Sequence, residues 1–399
     1  MRILILVDCY LPNTKSCVTL THDLAVELAR QQHDVVLMAP IAEAAEQMTV
    51  ERTENFTVVR VRTGAIKDVP RPIRALRELA MPHMLWHASQ DLLRSQRIDL
   101  VIYYSPSIFF APLVRRVKTI WHCPAYLVLR DIFPKWARDC GVLKDGLVFG
   151  FFQREAIRQY DQADVIGVES EGNVRYFAGQ LSEKHYKVEV LSNWMSLDGG
   201  ATAKGGHRQR LGWDGKVIFF YGGNMGVAQG MESVVDLMRA MRSDDRVRFL
   251  LVGEGSEVPR IRDVAEREGL KNLVLLPPVD QHTYLSMLAE ADVGVVSLAA
   301  NLTTHNVPSK ALPYMYFSLP ILASLNPGND LLRVISATES GFSFDTRNRT
   351  GLAEAARKLV ADASLRRRLG SNARQLLESR FSAQAAAQQI TRRWAVTPC

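Results

Sequence analysis

The stretch Val217–Leu237, VIFFYGGNMGVAQGMESVVDL, constrains the fold more than any other part of the chain. Val217–Tyr221 is a short apolar run with aromatic and β-branched residues, the composition of a buried parallel strand. Gly222, Gly223 and Gly226 then break the pattern, and Met231, Val234, Val235 and Leu237 return at helical spacing. Strand, glycine loop and helix is the unit that brings backbone N–H groups up to a phosphate. Glycine suits the loop because it reaches φ > 0 and admits a ligand close to the backbone. The spacing, G-G-x-x-G, is neither a dinucleotide fingerprint nor a P-loop, so a tight βα turn without a ligand is the alternative.

The same alternation recurs. Strand-like runs at 217–221, 247–252, 273–276, 292–297 and 320–324 are each followed by a helical pattern. An earlier set covers Arg2–Val7, Asp34–Met38, Thr57–Val61, Val101–Tyr103, Tyr126–Leu129, Asp164–Val168 and Lys187–Leu191. Leu20, Leu24 and Leu28 mark a helix, and Pro70–Arg97 reads as a long one. This is an α/β chain with two Rossmann-like parallel sheets. The polar, glycine-rich Ser192–Gly215 is the natural linker. The expected domains are 1–195, 196–380 and a C-terminal helix, 381–399, turning back toward the first domain.

A length of 399 residues suits two domains, and 47% hydrophobic residues supply their cores. No uncharged apolar stretch reaches 18 residues, and the N-terminus lacks a signal-peptide cleavage site. Cys9, Cys17, Cys123, Cys140 and Cys399 are scattered without a C-x-x-C, which fits reduced thiols in a cytoplasm and gives no zinc pattern. The net charge is +7, and Glu51–Lys144 holds 16 Lys/Arg against 8 Asp/Glu, a local balance of +8. No nucleic-acid motif accompanies that excess, so anionic lipid or a phosphorylated substrate is favoured as partner. The apolar cluster Gly146–Phe152, flanked by Lys135, Arg138, Arg154 and Arg158, fits a membrane interface or a helix buried on the sheet.

Ligands bind beyond the carboxyl ends of the strands in such sheets. Gly253-Glu254 follows one strand, and Asn301–Lys310, ending V-P-S-K, follows another. Pro308-Ser309 is good N-cap chemistry for a helix Lys310–Phe317. Lys310 would then oppose the helix dipole, unless an anion sits between its ammonium and the N–H groups. Asp131, in L-R-D-I-F-P, follows an apolar strand and is either a structural cap or a reacting group.

These residues resemble a family-four glycosyltransferase of the GT-B fold over nearly the whole length. The matching pieces are YLPN…THDLAVELARQQHDVVLMAP, YSPSIFF, LRDIFP, LSNW, FFYGGNMGVAQGM, LLVGEGSE, LLPPVDQHTYLSMLAEADVGVVSL and VPSKALPYMYFSLPILAS. The last pieces are most like the N-acetylfucosamine transferase branch that builds bacterial O-antigens and capsules. The resemblance implies two facing domains and retaining transfer of a sugar from a UDP-linked donor on the second domain. The acceptor, a lipid-diphosphate-linked saccharide at the inner membrane face, would sit on the first. Neither a metal nor a cofactor is implied. Donor contacts would come from Gly222, Gly223, Asn224, Gly226, Gln229, Gly253, Glu254, Val279, Pro308, Ser309 and Lys310. Acceptor contacts would come from Asn13, Ser16, Ser105 and Arg130, with Asp131 and Lys310 in catalysis.

The chain also departs from the family. Asn224 and Gln229 stand where many members have Arg and Lys in G-R-L-x-x-x-K-G, so two cations expected at the diphosphate are missing. His305 and Pro313 stand where many have glutamates. Two rivals follow: a nucleotide-sugar 2-epimerase on the same fold, and a non-catalytic nucleotide-sugar-binding partner.

Overall fold

The computed structural model describes residues 1–13, 16–66, 69–139, 142–198, 204–302 and 307–394. The chain divides into two units. Unit 1 comprises Met1–Ser192 with Ala383–Cys399, and unit 2 comprises Asn193–Ser382.

Unit 1 is built on β1 (Arg2–Leu6), β2 (Asp34–Ile41), β3 (Met48–Arg52), β4 (Thr57–Arg62), β5 (Leu100–Tyr104), β6 (Ala125–Leu129), β7 (Val165–Val168) and β8 (Val188–Val190). They form one sheet in the order β3-β4-β2-β1-β5-β6-β7-β8, parallel except for the β3–β4 pair. β1, β5 and β6 are buried almost throughout because helices cover both faces of the sheet. The long helix runs Arg71–Ser95. β3 was not expected. It is a partly exposed edge strand, MTVER, turned back on β4 through Thr53–Phe56, and it lacks the apolar run that marks the central strands. The helix Ala383–Thr391 completes unit 1. Gln389 Nε2 donates to Glu189 Oε1 (3.0 Å) and to the Val190 carbonyl (2.8 Å), and Arg393 pairs with Glu189 at 2.8 Å.

Unit 2 is built on β9 (Val217–Gly222), β10 (Val247–Val252), β11 (Leu273–Leu276), β12 (Val293–Ser297), β13 (Ile321–Leu325) and β14 (Gly341–Asp345). Their order is β11-β10-β9-β12-β13-β14, all parallel. β14, GFSFD, was missed because it is polar and half-buried at the sheet edge. In the C-terminal region, helices Arg349–Ala361 and Ala363–Leu376 meet at Asp362, whose side chain caps the second through the Leu365 N–H.

Candidate functional site

In unit 2 the strand order reverses at β9, which lies between β10 and β12. Such a reversal leaves a crevice at the carboxyl ends of the two diverging strands. The glycine loop leaves β9, and the loop ending in V-P-S-K leaves β12. They meet where the Ala299 N–H donates to the Ala228 carbonyl (3.0 Å).

Lys310 crosses that junction. Its Nζ donates to Tyr221 Oη (2.5 Å) and to Gln229 Oε1 (2.7 Å), and stands 4.0 Å from the centroid of the Tyr221 ring. Burial lowers its pKa from 10.5 to about 7, and among the described residues no carboxylate offsets that desolvation. The expected helix Lys310–Phe317 is shorter, Ala311–Tyr316, and Ser309 does not cap it. The N-cap is Lys310 itself, in α conformation (φ −62°), because the Pro308 and Ser309 carbonyls already accept from Ala311 (3.0 Å) and Leu312 (3.1 Å). The ammonium is therefore held over the end of β9, not against a helix dipole.

The glycine loop is less open than its sequence suggests. The Gly222 N–H donates to Tyr314 Oη (3.0 Å), that of Gly223 to the Val252 carbonyl (2.9 Å), and that of Met225 to the Glu254 carbonyl (2.6 Å). Among the described residues, the amides of Asn224 and Gly226 make no hydrogen bond. Gly253 is needed for this zipping of two loops. Its φ is +147°, and a Cβ there would lie 2.0 Å from the Gly223 carbonyl oxygen. Glu254 contributes its carbonyl to the zipper, and its side chain is exposed. Val279 is half-buried and packs on the core behind β11.

In unit 1 the reversal falls between β1 and β5. A cavity of about 520 Å³ opens at the ends of β1, β2 and β4, lined by 8–13, 40–43 and 64–66. Asn13 lines it, its N–H held by the Tyr10 carbonyl (3.2 Å). Ser16 begins the helix Ser16–Arg30, and its side chain lies outside the described residues. Ser105 and Arg130, expected as acceptor contacts, are both buried. Ser105 is wholly buried. Arg130, 6% exposed, donates to the Leu191 carbonyl (2.6 Å) and so fastens the end of β6 to the chain beyond β8.

Asp131 follows Arg130 but faces outward into a second cavity of about 400 Å³, with Phe109, Phe133, Trp136 and Phe152 on its walls. Those walls strip water from the carboxyl and raise its pKa, with the Arg130 charge acting in the opposite sense. The turn after β6 closes through Asp131's main-chain carbonyl, which accepts from the Phe133 N–H (2.9 Å), and among the described residues the Asp131 carboxylate accepts no hydrogen bond that would make it a cap. The neighbouring apolar cluster divides. In the helix Leu147–Tyr160, Phe152 packs against Phe133 (5.1 Å between centroids), while Leu147 (95%), Val148 and Phe151 are exposed.

Comparison with known proteins matches both halves. Residues 17–194 match the family described as Glycosyl transferase 4-like domain, and residues 204–376 match Glycosyl transferases group 1. The chain is a GT-B glycosyltransferase. The probable glycosyltransferase WbjE of Pseudomonas aeruginosa is 25% identical over 57% of this chain, and the chain spans only 57% of that protein. The putative colanic acid biosynthesis glycosyl transferase WcaI of Escherichia coli is 23% identical over 78% of this chain and 80% of its own. Among solved structures, the sucrose-phosphate synthase of Thermosynechococcus elongatus superposes with a TM-score of 0.70 at 16% identity, covering 98% of each chain. An E. coli trehalose-6-phosphate structure bound with UDP-2-fluoro glucose gives 0.70 at 12% identity, covering all of both chains.

Two residues of this glycosyltransferase escaped the sequence reading. Tyr221 accepts the Lys310 ammonium, and Tyr314 occupies the Gly222 N–H. Each is a phenol in an otherwise apolar run, and a buried tyrosine needs a partner for its hydroxyl. That was the available signal.

Proposed function

We propose that this glycosyltransferase moves a sugar from a UDP-linked donor to a lipid-diphosphate-linked saccharide, with retention at the anomeric carbon. The sugar is N-acetylfucosamine or a related deoxy amino sugar, and the product feeds bacterial surface polysaccharide. The observation that carries the reading is the buried Lys310 amine, which among the described residues has two neutral partners and no carboxylate. A group held there is stabilised as a cation once an anion arrives, and the leaving UDP diphosphate is such an anion. The open amides of Asn224 and Gly226 belong to the same loop. No step in this reading uses a metal.

Gln229 deepens the argument. Many members of the family have a lysine at this position, whereas here Lys310 comes from the loop after β12 and donates to Gln229 Oε1. The charge has changed donor residue while staying at one end of β9. Asp131 would orient the acceptor hydroxyl or take its proton as the new C–O bond forms. Exposed Leu147, Val148 and Phe151 with nearby Arg and Lys support peripheral attachment to the inner face of the cytoplasmic membrane. Among the described residues, no helix is long and apolar enough to cross a membrane.

The test is turnover of a panel of UDP-sugars by the full chain, with and without lipid extract. UDP release that requires the extract is expected. A changed sugar formed without acceptor would make the protein an epimerase, and tight UDP binding without turnover would make it a binding partner.

A further inference from the structure

Among the described residues, one group of side chains presents three metal-ligand atoms within 4.8 Å of one another: the Asp8 carboxylate and the Cys9 and Cys17 thiols. They come from the end of β1 and the first turn of the helix Ser16–Arg30. The C-x7-C spacing hides them in the sequence, because it matches no zinc motif. The fold closes the gap and brings the two sulfurs to 3.2 Å.

We propose that Asp8, Cys9 and Cys17 bind a thiophilic divalent cation, zinc foremost. The donor set, one oxygen and two sulfurs, is of the kind that zinc takes. Two thiolates at about 2.3 Å from a tetrahedral zinc lie about 3.8 Å apart, so each sulfur would move outward by only about 0.3 Å. Without the ion the two thiols keep their protons and share a hydrogen bond, and a divalent ion that displaces those protons neutralises two of the three negative charges the donors then carry. Thr21 Oγ1 donates to the Cys17 carbonyl (2.8 Å), fixing the backbone that carries the ligand. Asp8 and Cys9 also line the 520 Å³ cavity, which gives the ion a way in and leaves its fourth position for water. Binding releases the two thiol protons to solvent and changes no oxidation state. The ion would brace the loop that follows β1 and plays no part at the Lys310 end of unit 2.

The experiment uses the full chain, reduced and stripped with chelator, titrated with cobalt and then zinc. The expected result is one cobalt per chain with a thiolate-to-cobalt charge-transfer absorption that zinc abolishes. Cys17→Ser, a half-buried position that should still fold, is expected to lose the absorption and to weaken zinc at least a hundredfold. Asp8→Asn should weaken zinc about tenfold and keep the absorption. Circular dichroism of each variant separates ligand loss from unfolding. A folded protein that takes up no cobalt overturns the proposal, and so does an absorption unchanged in Cys17→Ser. Closure of the two thiols into a disulfide in place of cobalt uptake also overturns it.

Discussion

Replacing Lys310 by methionine tests the donor half-site most directly. The change keeps most of the side-chain volume and removes the amine that bonds Tyr221 and Gln229. Tyr221 keeps a partner, because its hydroxyl also donates to the Asn224 carbonyl (2.8 Å). A charge-assisted hydrogen bond contributes roughly 1.5–3 kcal/mol, so UDP affinity should fall about 10- to 150-fold. Uridine, which has no phosphate, should bind both proteins alike. The pH dependence supplies a second arm. With a pKa near 7, the amine of the empty site is about half protonated at neutral pH. A bound diphosphate would raise that pKa, so binding takes up a proton, and the Kd for UDP should rise about tenfold per pH unit above 7. The sign for stability is opposite. The unfolded lysine, at 10.5, binds more protons than the folded one between about pH 7 and 10.5, so stability rises with pH across that window. Lys310→Met should lose both slopes and melt no lower than the parent at pH 7. Calorimetry with UDP and uridine at pH 7, 8 and 9 reads the first effect, and thermal unfolding reads the second. Equal loss for UDP and uridine, or a flat UDP profile in the parent protein, refutes the reasoning.

Gln229→Lys alone should lower the melting temperature, because it sets a second cation against Lys310, whereas Gln229→Lys with Lys310→Met should recover most UDP affinity by calorimetry. Gly253→Ala should cost about 1–3 kcal/mol in denaturant unfolding, since the new Cβ meets the Gly223 carbonyl at a positive φ. Asp131→Asn should cut acceptor-dependent turnover about a hundredfold or more while UDP affinity holds, and near-normal turnover would remove it from the reaction. In co-sedimentation, the protein should bind anionic vesicles more than neutral ones and less at high salt, and Leu147→Ser with Phe151→Ser should weaken both.

The two parallel sheets were legible because their central strands are continuous apolar runs, as in LVIYY, AYLVL and VIFFY. Edge strands β3 and β14 lack that signature, since a strand with one neighbour need not be buried on both faces. In the site, sequence singled out Lys310 but placed its charge against a helix end. Only the path of the side chain shows that it turns to Tyr221, and no spacing rule connects residues 89 apart. Arg130 and Ser105 looked available because they follow strands at the ligand-binding end. Their burial is decided by the carbonyls of 191–192 and the packing of β5, which are tertiary facts.

The joining of Ala383–Thr391 to unit 1 has a bearing on synthesis. The first 192 residues leave the ribosome nearly 200 residues before the helix that completes their domain. Throughout that interval Glu189 lacks Gln389 and Arg393, and the surface that later covers Ala386, Ala387 and Ile390 is open to water. The second domain, being continuous in the chain, can finish first. The half that is made first is thus the one whose last element is made last.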